Sequence, residues 1–285
     1  MKKLKLLLLL SLLGSFTFAQ TPHYCDSVQA DFTSTAPACT GEEVQFLSTG
    51  YTGPNTIHAW DFGTDATPAV DTAISPVPVV YSMDGLKNVE LTVYDTVTGC
   101  ISYKTIGIQI YQNPIASFNA SSVNVCANEA IDFNNNGSSG SEWTYQWDFG
   151  SGAVPATSNA ENPQGIYYTS DGTKTVTLTV SNGECTESSD MTITVEETPE
   201  ADFTSTAPEC TGLPVDFTNT GTVTNTTYEW DFGVDATPPD LTDENPTGIV
   251  YSSAGTKTVQ LVTTNSTTGC TDTIRKTFTI HQTPD

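Results

Sequence analysis

The side chains of this 285-residue chain that could do chemistry are seven cysteines, three histidines and a large excess of acidic groups. His23, His58 and His281 are scattered, and no two cysteines have the Cys-x-x-Cys spacing of zinc or redox sites. The sequence also lacks the Gly-x-Ser-x-Gly turn of serine hydrolases and the His-Glu-x-x-His motif of zinc proteases. We therefore predict a non-enzymatic protein without catalytic residues.

Six of the seven cysteines form three equally spaced pairs. Cys39 and Cys100, Cys126 and Cys185, and Cys210 and Cys270 are separated by 61, 59 and 60 residues. This regularity predicts one disulfide inside each of three repeats, and closing such a loop stabilises a domain by roughly 4 kcal/mol. Cys25 is left over, either free or bonded to another chain. Such cysteine usage is typical of an oxidising compartment outside the cytosol.

A four-residue motif confirms the period of these repeats. The motif is Trp-Asp-Phe-Gly, and its tryptophans lie 87 and then 83 residues apart. Alternating aromatic and acidic residues before the glycine indicate a strand with one buried face, so we predict that the Trp and Phe form each domain core. The Asp is predicted to hydrogen-bond the turn that follows. The copies are Trp60-Asp61-Phe62-Gly63, Trp147-Asp148-Phe149-Gly150 and Trp230-Asp231-Phe232-Gly233.

Each repeat contains about seven short strand patterns in about 85 residues, with Gly, Asn and Pro turns between them and no helical periodicity. The strand from Lys257 to Thr263, for example, alternates apolar and polar residues. The predicted fold is all-β, a tandem array of three immunoglobulin-like β-sandwiches. The predicted segments are a signal peptide (1–19), a short leader (20–27), three repeats (28–113, 114–198 and 199–282) and the start of a seam to a missing fourth repeat (283–285).

The amino terminus and the overall charge predict where the protein works. Three lysines precede the apolar run 6–13, which is too short to span a membrane and is followed by a plausible cleavage point after Ala19. We therefore expect a secreted or cell-surface protein with no membrane span in the mature chain. The formal net charge of −24 repels phosphate groups, which excludes nucleic-acid binding.

The motif residues, with a following Asn-Pro and the strand Gly-Thr-Lys-Thr-Val-x-Leu-x-Val, resemble the polycystic-kidney-disease (PKD) domain over residues 28–282. The cysteine placement is similar to that of PKD repeats in gliding-motility-associated bacterial surface proteins. The resemblance implies an immunoglobulin-like sandwich that serves as an extracellular spacer, adhesion or protein-contact module. Relatives also occur as accessory modules of secreted hydrolases. The family's usual Asp-Gly after the motif is replaced here, for instance by Thr64-Asp65.

Two candidate contact features remain. Acidic residues follow the first and third motifs, where they suggest a calcium site, although the second repeat has Ser151, Gly152 and Ala153 there. We expect no cofactor, with calcium as an alternative. Trp143 lies outside the repeat pattern in a Ser- and Gly-rich stretch and is predicted to be an exposed contact residue. The acidic residues are Asp65, Asp71, Asp235, Asp240, Asp243 and Glu244.

The function predicted from the sequence is that of an extracellular stalk, adhesion or protein-interaction module, whose partner is an unidentified protein or glycan. Two alternatives stay open. One is an accessory polysaccharide- or collagen-binding module of a larger secreted hydrolase, and the other is a calcium-rigidified spacer.

Overall fold

The structure is a computed structural model that describes residues 23–284. The predicted signal peptide, residues 1–19, lies outside the described residues. Within residues 23–284 every regular element is a β-strand. We find there no helix with the length and apolar character that crossing a membrane requires.

The first repeat and its leader form eleven strands. A six-stranded sheet has the order β1-β11-β10-β6-β8, with β3 also paired to β11, and the smaller sheets are β2-β5 and β4-β9-β7. The strands are β1 His23–Tyr24, β2 Phe32–Ser34, β3 Ala38–Cys39, β4 Glu43–Val44, β5 Phe46–Ser48, β6 Thr56–Asp61, β7 Ala66–Thr67, β8 Val70–Asp71, β9 Val79–Tyr81, β10 Gly85–Asp95 and β11 Cys100–Tyr111.

The second repeat follows the same order without counterparts of β1 and β4, and an isolated bridge between Ile131 and Ile166 takes the place of the pairing between β4 and β9. Its main sheet is β13-β20-β19-β15-β17, and its smaller sheets are β12-β14 and β16-β18. The strands are β12 Phe118–Ala120, β13 Asn124–Cys126, β14 Phe133–Asn135, β15 Thr144–Asp148, β16 Ala153–Val154, β17 Thr157–Ser158, β18 Tyr167–Tyr168, β19 Gly172–Ser181 and β20 Thr186–Glu196.

The third repeat has the main sheet β22-β30-β29-β25-β27 and the smaller sheets β21-β24 and β23-β28-β26. The strands are β21 Phe203–Ser205, β22 Glu209–Cys210, β23 Pro214–Val215, β24 Phe217–Asn219, β25 Thr226–Asp231, β26 Ala236–Thr237, β27 Asp240–Leu241, β28 Ile249–Tyr251, β29 Gly255–Asn265 and β30 Thr271–His281.

Period-two burial explains why these segments form sheets. Along β29, Lys257, Val259, Leu261 and Thr263 are buried, while the residues between them are more exposed. This strand pairs antiparallel with β30 over ten consecutive residue pairs, from Gly255↔Ile280 to Thr264↔Thr271. The inward face packs on the aromatic residues of the smaller sheets to form one core. The all-β immunoglobulin-like prediction is confirmed.

The chain forms two compact units that do not follow the predicted repeat boundaries. The first contains the described residues up to Ala116 together with Gly137–Thr144 and Thr179–Ser188 of the second repeat. The second contains Ser117–Asn136, Tyr145–Leu178 and the described residues from Ser189 onward. One part of the second repeat thus groups with the first repeat, and another part groups with the third. The repeat boundaries themselves stay a prediction.

Candidate functional site

The three motif tryptophans lie in the cores of their domains. Trp60, Trp147 and Trp230 are at most 2% exposed. Each indole Nε1 donates to the carbonyl oxygen thirteen residues later, at 2.8, 2.8 and 2.9 Å. Each ring also stacks on the motif Phe two residues later, with interplanar angles of 14°, 14° and 11°. Because the rings and their polar edges have partners inside the domain, these tryptophans are structural rather than ligand-binding.

The motif aspartates hold the turn that ends the strand. The backbone N–H of the motif Gly donates to the Asp Oδ1 two residues earlier, at 3.2 Å for Asp61, 2.8 Å for Asp148 and 2.9 Å for Asp231. The glycines have φ values of +100°, +79° and +92°, which other L-residues rarely adopt. The carboxylates therefore stabilise a backbone conformation that requires glycine.

A lysine from the long strand meets the loop after the motif in two repeats. Lys87 pairs with Asp65 at 2.5 Å in the first repeat, and Lys257 pairs with Asp235 in the third. The Lys257 ammonium and the Ser253 hydroxyl donate to Asp235, and these bonds lower the pKa of that carboxyl. The Lys257 ammonium also lies 5.6 Å from the centre of the Tyr251 ring.

The second repeat anchors the same lysine without a carboxylate. Lys174 donates to the Ser170 hydroxyl at 3.1 Å and to the Asp171 carbonyl at 3.0 Å. Gly152 stands on the motif loop, where an added Cβ would lie 2.9 Å from Ser170 Oγ. Burial raises the pKa of Tyr168 to about 12, and its hydroxyl donates to the Phe149 carbonyl at 2.7 Å. The anchored lysine is therefore a structural feature of all three domains, buried in the second and third and half-buried in the first.

Several of the acidic residues suggested as calcium ligands bind other groups of the protein. Asp65 and Asp235 bind lysines, and Asp71 Oδ1 accepts the backbone N–H groups of Thr72 and Ala73. Asp243 contributes its backbone carbonyl to Trp230. Among residues 23–284, the one group of three or more potential metal ligands within 4.8 Å is His23, Cys25 and Cys100. Two of its sulfurs are joined in a disulfide, which removes them as thiolate ligands.

The prediction that Trp143 is exposed was wrong. Its side chain is only 8% exposed. The backbone N–H of Trp143 donates to the Gly140 carbonyl at 3.3 Å, and Gly140 has a φ of +115°. The indole is therefore buried although it directly follows a turn and a run of small polar residues. The four tryptophans are thus all buried, and none offers a face on which a sugar could stack.

The disulfides join successive repeats, which corrects the pairing predicted from the sequence. Cys39 is bonded to Cys185 and Cys126 to Cys270, with Cα–Cα distances of 6.0 and 5.6 Å. Cys25 of the leader is bonded to Cys100, at 5.3 Å. Cys210 is a free thiol. The predicted pairs Cys39–Cys100, Cys126–Cys185 and Cys210–Cys270 are all absent.

Strand pairing explains why the predicted pairs cannot form. Cys39 lies opposite Tyr111, the last residue of β11, whereas Cys100 is the first residue of that strand. A strand of that length places its ends about 35 Å apart, and a disulfide requires Cα atoms within about 7 Å. Cys126 lies opposite Glu196 and Cys210 opposite His281, again at the far end of the last strand. Each repeat therefore presents one cysteine at each end.

Hydrogen bonds surround the linkage between Cys39 and Cys185. The N–H of Asn113 donates to Thr40 Oγ1 at 3.0 Å, next to Cys39. The Asn113 side-chain amide donates to Glu187 at 3.0 Å, and the Asn182 amide donates to the Gln112 carbonyl at 2.9 Å. These contacts lie within the first compact unit. They form a small polar seam around the disulfide, and it is our candidate functional site.

His58 occupies a strand position, where it is 2% exposed. Its Nε2 is buried without a hydrogen-bond partner, and burial lowers the pKa of the imidazole. Tyr145 and Tyr228 occupy this position in the other repeats and are also buried. His58 is therefore a core residue rather than a catalytic one.

A shallow groove of about 520 Å³ lies on the main sheet of the third repeat. Its lining includes three acidic residues, Glu229, Asp231 and Asp240, together with Leu241 and Gln260. The groove has no signature in the sequence, because its residues come from β25, β27 and β29 and approach one another only when these strands pair.

Comparisons with known proteins identify the family of the second and third repeats. Two family models, both described as PKD domain, match residues 111–196 and 202–277, which together are more than half of the chain. The chain belongs to the PKD domain family. PKD domains are typically non-catalytic and are common in extracellular adhesion and interaction proteins. The comparisons do not show the similarity to gliding-motility-associated proteins, which stays a prediction.

Solved structures of serial domains are also similar to this PKD protein. The titin I-band fragment I67–I69 is 15% identical, with 90% of this chain and 98% of that chain covered and a TM-score of 0.40. Drosophila OTK extracellular domains 3–5 are 10% identical, with 93% and 100% covered and a TM-score of 0.33. The three N-terminal domains of bacteriophage RB49 Hoc are 10% identical, with 90% and 98% covered and a TM-score of 0.30. A search of the curated proteins finds no match.

Proposed function

We propose that this PKD protein is a non-enzymatic spacer and interaction module that works outside the cell or at its surface. The observation that carries the proposal is the pair of disulfides between consecutive repeats, Cys39–Cys185 and Cys126–Cys270. Each disulfide connects two consecutive repeats covalently, in addition to the peptide linker between them. Neighbouring domains therefore have fewer relative orientations. A protein that holds two objects at a set separation needs such restricted linkers.

The proposed location follows from the same bonds. Disulfides persist in oxidising compartments, and a signal peptide at residues 1–19 would deliver the chain there. The formal net charge of −24 favours solubility of the protein outside the cell. Attachment to a gliding or adhesion apparatus is one form of the proposed cell-surface role.

Small-angle X-ray scattering of the oxidised protein tests the spacer role. We expect the variant Cys39→Ser/Cys185→Ser to show a broader distribution of radii of gyration than the unchanged protein. Cys210→Ser is the matched control, because it removes a cysteine without breaking a linkage. Circular dichroism checks that the domains of each variant stay folded. Equal distributions for the linked and unlinked proteins would refute a spacer role.

The groove on the third repeat supports a second candidate, the accessory binding module. Its carboxylates and the Gln260 amide are groups that hydrogen-bond sugar hydroxyls or basic side chains. Co-sedimentation with chitin, cellulose and fibrillar collagen distinguishes these ligands. Retention that Asp240→Asn abolishes would favour the binding module, and no retention on any of the three would remove it.

A further inference from the structure

Cys210 occupies the same structural position as two bonded cysteines. Cys39, Cys126 and Cys210 each end a short strand that pairs in parallel with the carboxyl end of the last strand of the repeat. We call them the front cysteines. Two of the three are bonded, and Cys210 is the free one, partly exposed in the third repeat.

The bonded front cysteines follow one rule. Cys39 is bonded to Cys185, and Cys126 is bonded to Cys270. Cys185 and Cys270 each directly precede the last strand of the following repeat. We call these two, and Cys100 at the start of β11, the back cysteines. Cys100 is bonded to Cys25 of the leader, so every back cysteine has a partner. Among residues 23–284, Cys210 is therefore the one front cysteine that lacks a back cysteine as its partner.

The surroundings of Cys210 repeat those of Cys39. Both cysteines are followed by Thr and Gly, and Gly41 and Gly212 have φ values of +86° and +82°. Thr211 Oγ1 accepts the N–H of Thr283 at 3.3 Å, as Thr40 Oγ1 accepts the N–H of Asn113. Gln282 and Thr283 thus have the same positions relative to Cys210 that Gln112 and Asn113 have relative to Cys39. In the first repeat these two residues contact Asn182 and Glu187, which lie close to Cys185 in the sequence.

One difference also favours a contact at this end. The N–H groups of Cys39 and Cys126 donate to the carboxylates of Glu42 and Glu129, at 3.0 and 3.1 Å. At the same place, three residues after Cys210, the third repeat has Leu213, whose side chain is 48% exposed. Covering an exposed apolar side chain with a partner lowers the free energy of the complex, whereas covering a carboxylate does not.

We propose that Cys210 is a covalent docking site for another PKD domain, which supplies its back cysteine to a disulfide. This inference deepens the proposed function by naming the class of partner. It also stands apart from it, since Cys210 can dock a domain whether or not the repeats act as a spacer.

Thiol–disulfide exchange forms this bond without a net oxidant. The Cys210 thiolate attacks the sulfur of a back cysteine that is held in a mixed disulfide with glutathione. The new bond joins the two cysteine sulfurs, and glutathione leaves as a thiolate that takes up a proton from water. Docking of the two domains places the reacting sulfurs together, which raises their effective concentration.

A second copy of this protein supplies a suitable probe. The front probe is the unchanged protein, whose free thiol is Cys210. The back probe is the variant Cys25→Ser/Cys210→Ser, whose free thiol is the back cysteine Cys100. The two probes are mixed in a glutathione redox buffer, separated on non-reducing gels and mapped by mass spectrometry. We expect mixed dimers linked through Cys210 and Cys100, formed at least about tenfold faster than dimers of either probe with itself.

Controls separate docking from random thiol chemistry. In 6 M urea the preference for mixed dimers should disappear, because docking needs folded domains. Replacing the front probe with Cys210→Ser should give no mixed dimer. If Cys25→Ser prevents folding, the unchanged protein alkylated at Cys210 becomes the back probe, and exchange at its Cys25–Cys100 disulfide gives the same Cys210–Cys100 link. Absence of that link with the folded probe, or equal rates for mixed and like dimers, would overturn the proposal.

Discussion

At the level of single residues, a lysine that is buried or half-buried recurs in all three domains with two kinds of anchor. Lys257 binds a carboxylate, whereas Lys174 is held by a hydroxyl and a carbonyl. An ammonium group away from water must have hydrogen-bond acceptors, because an unpaired buried charge is costly. The second repeat shows that neutral acceptors suffice, so loss of the carboxylate should weaken a domain rather than unfold it.

We expect Asp235→Asn to destabilise the third repeat by about 1.5 kcal/mol, since it replaces a charge-assisted hydrogen bond with a neutral one. Hydrogen exchange of peptides from β29, measured by mass spectrometry on the full chain, reports this local loss. Asp243→Asn is the control, because that carboxylate belongs to the same repeat and is exposed, on the loop after β27. Equal exchange in both variants would contradict a role for the ion pair.

The lowered pKa of Asp235 gives this contribution a pH dependence. A carboxyl whose pKa is lower in the folded state binds protons more readily when the chain unfolds. Its stabilising effect is therefore complete above the ordinary Asp pKa of about 3.9 and is lost as the pH falls through the folded value. The β29 peptides of the unchanged protein should lose protection in acid, and Asp235→Asn should remove most of that change.

His58 should make the first repeat sensitive to a higher pH range. Burial lowers its pKa, so the unfolded chain takes up a proton first, near the ordinary value of about 6.5. Stability then falls with decreasing pH below that value, by at most about 1.4 kcal/mol per pH unit. His58→Tyr introduces the residue type of the other two repeats and should abolish this slope. Hydrogen exchange of β6 at pH 7.5 and 5.0 measures it, and an unchanged slope would contradict the assignment.

At the level of elements, the strand patterns and the aromatic core followed from the sequence, but the cysteine pairing did not. Equal spacings of about 60 residues within a repeat also imply equal spacings between consecutive repeats, so regularity alone fits both pairings. The parallel pairing of β3 with the end of β11 decides the matter, and a two-residue strand leaves almost no pattern in the sequence. The leftover Cys25 was the available signal, since pairing between repeats needs an extra cysteine at one end.

The same locality explains the error at Trp143. Ser138, Ser139 and Gly140 suggested an exposed loop, and the turn they form does lie at the surface. A turn fixes the backbone path, whereas the burial of the next side chain depends on residues distant in sequence. Isolated positions outside the repeat pattern are therefore the least predictable ones.

Loss of a linkage between repeats should lower stability without changing the fold. The variant Cys126→Ser/Cys270→Ser opens a loop whose ends are 144 residues apart in sequence, for which the chain-entropy model gives at most about 5 kcal/mol. Urea unfolding followed by circular dichroism should show a lower midpoint than that of Cys210→Ser. Coincident midpoints would mean that the linkage does not constrain the unfolded chain.

At the level of the whole molecule, six of the seven cysteines form three disulfides, each of which connects the leader or a repeat to the next repeat. Peptide mapping of the oxidised protein under non-reducing conditions should recover Cys25–Cys100, Cys39–Cys185 and Cys126–Cys270, with Cys210 alkylated. Alkylation at acidic pH before digestion serves as the control against exchange during handling. Recovery of Cys39–Cys100 or Cys126–Cys185 would contradict the connectivity.

The overlapping loops closed by these disulfides also limit how far the protein can be stretched. From its described start, the shortest covalent path crosses from Cys25 to Cys100, follows the backbone to Cys126, and crosses to Cys270. That path holds about 45 residues, so even with every domain pulled open the oxidised protein extends to only about 150 Å, against about 900 Å for the reduced protein. Under tension the oxidised protein would behave as a tether with a fixed maximum length, and a reductant would remove that limit.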